Sequence, residues 1–234
     1  MLLTPFYSTQ DNQIFVSAEQ ASNFAKRQCF DFNPIHDPEN KRFCVPGDLL
    51  FSLALHIYGV SESMSFTFTN MVGADVGLNF PETDDDTIIV TNAQGKSVLE
   101  ITRQGKINKD ATFIESLIKN YGQFSGQNFP SVLMPLMKQQ GVMFNTNRPL
   151  VMYNSMSFEF TSLDLTHPLG LKLANSTLDV EPKRANSFLH FDLLDGDRIT
   201  GKGIKKLVVA GLKPYDEDVI NAFTAGYEAR RDAF

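Results

Sequence analysis

The stretch Asp48-Leu-Leu-Phe-Ser-Leu-Ala-Leu-His-Ile-Tyr-Gly59 decides the fold that this chain can adopt. As a helix it would carry apolar residues on nearly every side, and such a helix has to be buried all round. Asp48 is a suitable N-cap residue, and Gly59 is a suitable residue to end the helix. Because the helix needs a covering on every side, the stretch predicts a central helix wrapped by a sheet.

The residues on either side of this helix predict a second helix and several strands. Residues 17–28 begin with a capping box, Ser17 to Gln20, and continue as an amphipathic helical pattern. Residues 63–69 alternate apolar and hydroxyl side chains, which indicates a half-buried strand. Further strands are predicted at 76–80, 87–91 and 97–103, the last two as a hairpin.

The second half of the chain repeats the order of helix, apolar helix, strand, strand and hairpin. Residues 155–161, Ser-Met-Ser-Phe-Glu-Phe-Thr, nearly repeat Ser-Met-Ser-Phe-Thr-Phe-Thr at 63–69. An internal repeat of this size predicts an α+β protein with two copies of one domain, at 1–108 and 109–234. The other predicted elements are a helix at 111–121, an apolar helix at 130–140, a strand at 169–173, a hairpin of 187–194 and 205–210 around Asp195-Gly196, and a final helix at 216–231.

The composition argues against several classes of function. The chain has 234 residues, 42% of them hydrophobic, and a net charge of −6, so a folded core is expected and general nucleic-acid binding is not. The apolar run at 49–58 is too short to cross a bilayer, which takes about 20 residues, and the first residues lack a signal-peptide pattern. Cys29 and Cys44 match no metal-ligand spacing. A cytoplasmic protein without a metal, a cofactor or a membrane partner is therefore expected.

A short loop before the central helix carries the residues best suited to chemistry. It reads Cys29-Phe-Asp-Phe-Asn-Pro-Ile-His36, and Pro34 with Pro38 argues against a regular helix or a central strand. Loops on rigid scaffolds often carry functional groups, and this loop combines the carboxylate of Asp31 with the imidazole of His36. The structural alternatives are that Asp31 caps a turn of its own backbone and that His36 is an ordinary loop residue.

Asp-x-Asn-Pro-x-His at residues 31–36, followed by an apolar helix led by Gly47, resembles the signature of the MaoC-like (R)-specific enoyl-CoA hydratases. Those enzymes have the hot-dog fold, in which an antiparallel sheet wraps a central helix. Together with the internal repeat, the resemblance implies a double hot-dog. It implies that Asp31 is the base that activates water for attack on C3 of an enoyl thioester. His36 would bind the same water and help to deliver a proton to C2. The N–H of Gly47 would polarise the thioester carbonyl, and Asn33 would orient the pair.

The ligand that this resemblance implies is an acyl thioester of coenzyme A or of acyl-carrier protein. Lys41 and Arg42 could meet the phosphates of coenzyme A, and a solvated basic pair is the alternative. A double hot-dog already pairs two halves within one chain, so a monomer and a homodimer both remain open.

The chain also departs from the hydratases. The segment between the histidine and the glycine, residues 37–46, is shorter than theirs, and Phe30 and Pro46 replace a glycine and a histidine of their pattern. In the second half, residues 124–130 resemble a degenerate copy of the motif, with Gln127 where the acid would stand.

Three hypotheses follow from these observations. The first is an acyl-thioester hydratase or dehydratase that uses Asp31 and His36, and the intact pair favours it. The second is a non-catalytic double hot-dog that binds an acyl thioester or another small ligand, and the shortened segment favours it. A thioesterase is the third.

Overall fold

The computed structural model describes residues 2–234 and has the predicted α+β architecture. Within these residues the α-helices are α1 (Ala18–Cys29), α2 (Gly47–Tyr58), α3 (Ala111–Asn128), α4 (Met134–Gln139) and α5 (Glu217–Asp232). The strands are β1 (Ser8–Gln10), β2 (Gln13–Phe15), β3 (Val60–Phe68), β4 (Leu78–Asn79), β5 (Thr87–Asn92), β6 (Ser97–Asn108), β7 (Val142–Met143), β8 (Val151–Phe160), β9 (Leu169–Val180), β10 (Arg184–Asp195), β11 (Arg198–Ala210) and β12 (Lys213–Pro214).

Ten of the strands form one antiparallel sheet, in the order β1-β2-β4-β5-β6-β3-β8-β11-β10-β9, and β7 pairs with β12. Strands of the first half fill one side of the large sheet, and strands of the second half fill the other. The halves meet where β3 pairs with β8, the two strands of nearly identical sequence. Ser65 pairs there with Ser157, its own counterpart in the repeat, and the neighbouring pairs are symmetric about this position. The double hot-dog is therefore present as predicted, whereas a domain boundary at 108/109 stays a prediction.

Helix α2 is buried on all sides, as its sequence predicts. Residues 49–55 are all buried and pack against the inner face of β3, β5, β6 and β8. The first turn differs from the prediction, because Pro46 is the N-cap and no side chain caps the helix. Asp48 lies one position inside α2, and its carboxylate contacts α3 instead of the backbone of its own helix.

The helical region of the second half is longer than the sequence predicts. Two helices were expected, at 111–121 and 130–140, with a loop between them. Instead α3 runs to Asn128, a π-helical turn follows at Phe129–Leu133, and α4 continues from there. Pro130 is tolerated because it lies in the π-helical turn, where the ordinary helical hydrogen-bond ladder is already interrupted. The segment around Gln127 is therefore helical and does not resemble the loop that holds Asp31.

A second hydrophobic cluster fills the space between α4, α5 and the strands of the second half. It contains Leu133, Met137, Val209, Ile220 and Tyr227. The final helix is present as predicted, and its inner face belongs to this cluster. Within residues 2–234, no helix combines the length and the apolar character that crossing a membrane requires.

The hairpin of the second half turns one residue later than predicted. Asp195 pairs with Arg198 across the two strands, so the turn consists of Gly196 and Asp197 and not of Asp195 and Gly196. The side chain of Asp195 is buried and accepts hydrogen bonds from Thr166 and from the backbone of His167. Its role is therefore to hold the loop before β9 against the hairpin.

Gly126 allows α3 to lie directly against the end of α1, and a substitution tests this packing. A Cβ atom at position 126 would lie 1.9 Å from the carbonyl oxygen of Cys29. Gly126→Ala should therefore lower the free energy of unfolding by about 3 kcal/mol through overpacking. In α5, a Cβ at Gly226 would meet no atom within 4 Å. Gly226→Ala is the matched control and should raise stability by about 0.5–1 kcal/mol. Urea unfolding of both variants measures the difference, and equal stabilities would contradict the packing argument.

Candidate active site

A cavity of about 500 Å³ lies between the two halves, beside the N-terminal end of α2. The first half contributes the loop before α2 and the first turn of that helix. The second half contributes residues of α3, β8, β11 and the segment before β8. The sequence-predicted residues that line the cavity are Asp31, Asn33, His36, Arg42 and Gly47.

The loop before α2 takes its shape from hydrogen bonds within its own sequence. Helix α1 ends at Cys29, and its C-cap residue Phe30 has a φ of 54°, in the left-handed region. Oδ1 of Asp31 accepts a hydrogen bond from the N–H of Asn33 at 2.9 Å, and Oδ1 of Asn33 accepts one from the N–H of Ile35 at 3.2 Å. A short 3-10 turn at Pro34–His36 then brings the imidazole next to the carboxylate. One oxygen of Asp31 thus has the capping role that was the structural alternative, and the other faces the histidine.

The second oxygen of Asp31, Oδ2, lies 3.7 Å from Nε2 of His36. This distance is too long for a direct hydrogen bond, so both atoms are available to a shared water or hydroxyl group. On the other side of the ring, Nδ1 of His36 lies 2.8 Å from the carbonyl oxygen of Cys44. Because a carbonyl oxygen can only accept, Nδ1 carries a proton and donates it, which holds the ring in one orientation.

Both side chains of the pair have raised pKa values. Burial by itself lowers the pKa of His36, but its hydrogen bond with Cys44 and the charge of Asp31 outweigh this effect and raise the pKa to about 9. Burial raises the pKa of Asp31, and the nearby His36 opposes this only in part. At neutral pH, His36 is therefore a cation that can give up a proton, and the raised pKa of Asp31 increases the basicity of its carboxylate.

Helix α5 supports the loop from outside the cavity. The hydroxyl oxygen of Tyr227 accepts a hydrogen bond from the N–H of Phe32 at 3.0 Å, and the two rings pack edge to face. Asp37 forms an ion pair of 2.8 Å with Lys26 on α1 and another with Arg230 on α5. The loop is therefore held between the first and the last long helix of the chain.

The N–H of Gly47 lies at the edge of the cavity and has no hydrogen-bond partner among residues 2–234. As the first residue of α2, it has no carbonyl group four residues earlier within the helix to which it could donate. The N–H also lies at the positive end of the helix dipole, which favours a partly negative oxygen. A Cβ atom here would lie 2.8 Å from Cδ1 of Tyr153, so a side chain at this position would crowd the cavity wall.

A second polar cluster lines the same cavity, and the sequence analysis missed it. Asp48, Ser125 and Lys205 are all buried. Oγ of Ser125 donates to Oδ2 of Asp48 at 2.6 Å and accepts a hydrogen bond from Nζ of Lys205. That Nζ also lies 4.4 Å from the centre of the Tyr153 ring. The cluster joins α2 of the first half to α3 and β11 of the second.

Part of this cluster could have been found from the sequence. Lys205 shares its face of β11 with Leu207 and Val209, because side chains alternate along a strand, and both of these are buried. A lysine in the apolar phase of a strand is therefore a signal of a buried charge. Ser125 carried no comparable signal, because its contacts depend on the unexpected length of α3.

Two arginines mark the open side of the cavity. Arg42 and Arg148 both line it and are both exposed to solvent. Arg148 was not predicted, since it lies in the segment before β8, far from the motif in sequence. Lys41 is also exposed but does not line the cavity. The predicted basic pair is therefore divided, with only Arg42 at the site.

Comparison with known proteins adds a family match and several structural likenesses. One protein-family model matches residues 1–218, and no curated protein matches the chain. Solved structures similar to this one include a putative thioesterase II from Thermobifida fusca YX, with 10% identity over 88% of this chain and 96% of the other and a TM-score of 0.43. A putative MaoC domain protein dehydratase from Chloroflexus aurantiacus has 8% identity over 90% and 95%, with a TM-score of 0.43. A hot-dog protein of unknown function from Alicyclobacillus acidocaldarius has 8% identity over 92% and 99%, with a TM-score of 0.41. At these values the likenesses carry no conclusion about chemistry.

The raised pKa of His36 predicts a pH-dependent contribution to stability. The pKa of about 9 in the folded protein exceeds the ordinary value of about 6.5. The contribution is therefore complete below pH 6.5 and is lost as the pH rises through 9. The stability advantage of the wild type over His36→Gln should fall by up to about 3 kcal/mol between these pH values. Urea unfolding of both proteins at several pH values measures it. A difference that stays constant with pH would show that folding does not shift the pKa of His36.

Proposed function

The family-model match over residues 1–218 shows that the chain belongs to the family described as Protein of unknown function (DUF3581), and from the geometry of the cavity we propose that it is an acyl-thioester hydratase or dehydratase. It adds water to a trans-2-enoyl group carried on coenzyme A or on acyl-carrier protein, or it catalyses the reverse reaction. The chemistry is that of the MaoC-like hydratases whose motif the loop resembles.

The spacing of Asp31 and His36 is the observation that carries this proposal. Oδ2 of Asp31 and Nε2 of His36 lie 3.7 Å apart at the wall of a cavity. Asp31 is suited to accept a proton, and His36 is suited to donate one. A pair that served only to hold the loop would gain most from a direct hydrogen bond. The gap instead leaves two unsatisfied positions that a single water can fill.

In the proposed reaction Asp31 gains one proton and His36 loses one. A water molecule binds Oδ2 of Asp31 and Nε2 of His36. Asp31 removes a proton from the water as its oxygen attacks C3, and His36 gives its Nε2 proton to C2. The N–H of Gly47 stabilises the negative charge that develops on the thioester oxygen. Transfer of the new proton from Asp31 back to His36 restores the starting state.

The size of the cavity supports an enzyme over a non-catalytic relic. The segment 37–46 is short, yet a volume of about 500 Å³ remains open beside the pair. This volume is within the range typical of small-molecule sites. Asp31 and His36 therefore have space for a substrate in front of them.

Loss of the base should abolish hydration while the fold is retained. With short- and medium-chain trans-2-enoyl-CoA substrates, Asp31→Asn is expected to lower kcat by about 10²–10⁴-fold, because the amide cannot accept the proton of water. His36→Gln should lower it by a similar factor through loss of the acid. The measurement is the decrease of enoyl-thioester absorbance.

Asp75→Asn is the matched control, because Asp75 is exposed and does not line the cavity. Asparagine also tolerates the positive φ of 56° at that position. A folded wild type that hydrates no chain length on either carrier would refute the proposal. An Asp31→Asn variant with wild-type activity would refute the role of the pair.

The arginines at the open side should bind the phosphates of a coenzyme A substrate. Arg42→Gln and Arg148→Gln should each raise KM several-fold, more at low than at high salt, with little change in kcat. Lys41→Gln serves as the control, because Lys41 is a neighbouring cation outside the cavity. Steady-state kinetics at two salt concentrations test this prediction. An equal rise in KM for all three substitutions would indicate that the cations attract the substrate from a distance and do not contact its phosphates at the cavity.

A further inference from the structure

The cluster of Asp48, Ser125 and Lys205 has no role in the proposed hydration, although it lines the same cavity. Ser125 is the only link between the acid and the lysine in the described structure: it donates to one and accepts from the other. Oδ1 of Asp48 is buried and has no hydrogen-bond partner among the described residues. The same is true of Nδ2 of Asn128, one helical turn after Ser125. The group therefore contains two opposite charges and two unused polar atoms.

Stability alone gives little reason for this arrangement. Removing two charges from water is costly, and the cost is offset only when the geometry is good and the remaining polar atoms are paired. Here the charges do not touch, since a serine lies between them, and Oδ1 of Asp48 stays unpaired. Buried charges in a cleft are more typical of functional sites than of packing.

The hydroxyl of Ser125 has the surroundings of an activated nucleophile. Its oxygen lies 2.6 Å from Oδ2 of Asp48, to which it donates its proton, and an ammonium group donates to the same hydroxyl oxygen. The first group can take the proton, and the second can stabilise the alkoxide that forms. The Tyr153 ring, 4.4 Å from Nζ, holds the lysine in place through a cation–π contact.

We propose that Ser125 is a nucleophile that accepts an acyl group from an acyl thioester bound in this cavity. The substrate class rests on the function proposed above, whereas the reaction and its residues are different. Asp48 takes the proton of Ser125 as Oγ attacks the thioester carbonyl carbon. The carbon–sulfur bond breaks, and the proton on Asp48 leaves with the thiolate as a free thiol. Water then hydrolyses the serine ester with Asp48 as base, which releases a carboxylic acid and restores Ser125.

A saturated substrate separates this reaction from hydration, because octanoyl-CoA has no double bond to hydrate. Wild-type protein mixed with octanoyl-CoA should release coenzyme A, measured with a thiol reagent. Samples acid-quenched during turnover should carry an octanoyl adduct, located by peptide mass spectrometry at Ser125. Ser125→Ala should reduce thiol release to the uncatalysed background and abolish the adduct.

Three further variants complete the test. Ser131→Ala is the matched control, because Ser131 is an exposed serine close by and its hydroxyl donates to the carbonyl of Gln127. It should keep both the thiol release and the adduct. Asp48→Asn should slow acylation by about 10²–10⁴-fold, as expected for loss of a base. Ser125→Cys keeps a nucleophile at the same position and should still accumulate an acyl adduct if Ser125→Ala does not fold.

The outcomes decide between the two reactions. Absence of thiol release and of any adduct in folded wild-type protein overturns the nucleophile, even if enoyl-CoA hydration is observed. An adduct that persists in Ser125→Ala overturns it as well. Thiol release that depends on Ser125, without hydration of any enoyl substrate, supports the nucleophile and refutes the hydratase.

Discussion

The burial of α2 on every side is the constraint on which the rest of this structure depends. Residues 49–55 are all buried, and each large apolar side chain contributes about 1.5–3 kcal/mol when it leaves water. A sheet can cover only one face of such a helix, and α1 and α3 pack against other faces, with Phe51 of α2 against the ring of Tyr121 of α3. The N-terminal end of α2 borders the cavity, and Gly47 lies there.

The internal repeat explains why the N-terminal end of α2 lies at the boundary between the two halves of the chain. Strands β3 and β8 pair about Ser65 and Ser157, so the two halves continue each other across one sheet. The cavity therefore takes one wall from each half. The halves also differ, because the first half has the loop with Asp31 at this place and the second has the helix α3. Two copies of one plan thus produce one asymmetric site.

The electrostatics of the cavity follow from this asymmetry. The first half brings carboxylates, Asp31 and Asp48, to the positive end of α2, and the second half brings the ammonium group of Lys205 from β11. His36 adds a further positive charge at neutral pH, with a pKa of about 9. The charges alternate in sign around an otherwise largely apolar space. This arrangement can hold partial charges on the polar part of a ligand while its apolar part occupies the rest of the cavity.

The sequence by itself determined the elements whose signals are local. The apolar pattern of α2, the capping box of α1, the alternating strands and the Asp31–His36 spacing all depend on neighbours within a few residues, and each was readable. Contacts between distant segments were decided by the tertiary structure. Ser125 meets Asp48 because α3 continues to Asn128, Arg148 reaches the cavity from the segment before β8, and Tyr227 supports the loop from the far end of the chain. The reason is that the local sequence pattern around a residue shows whether its side chain is buried. Which residue it contacts across the core depends on how whole helices and strands pack against each other.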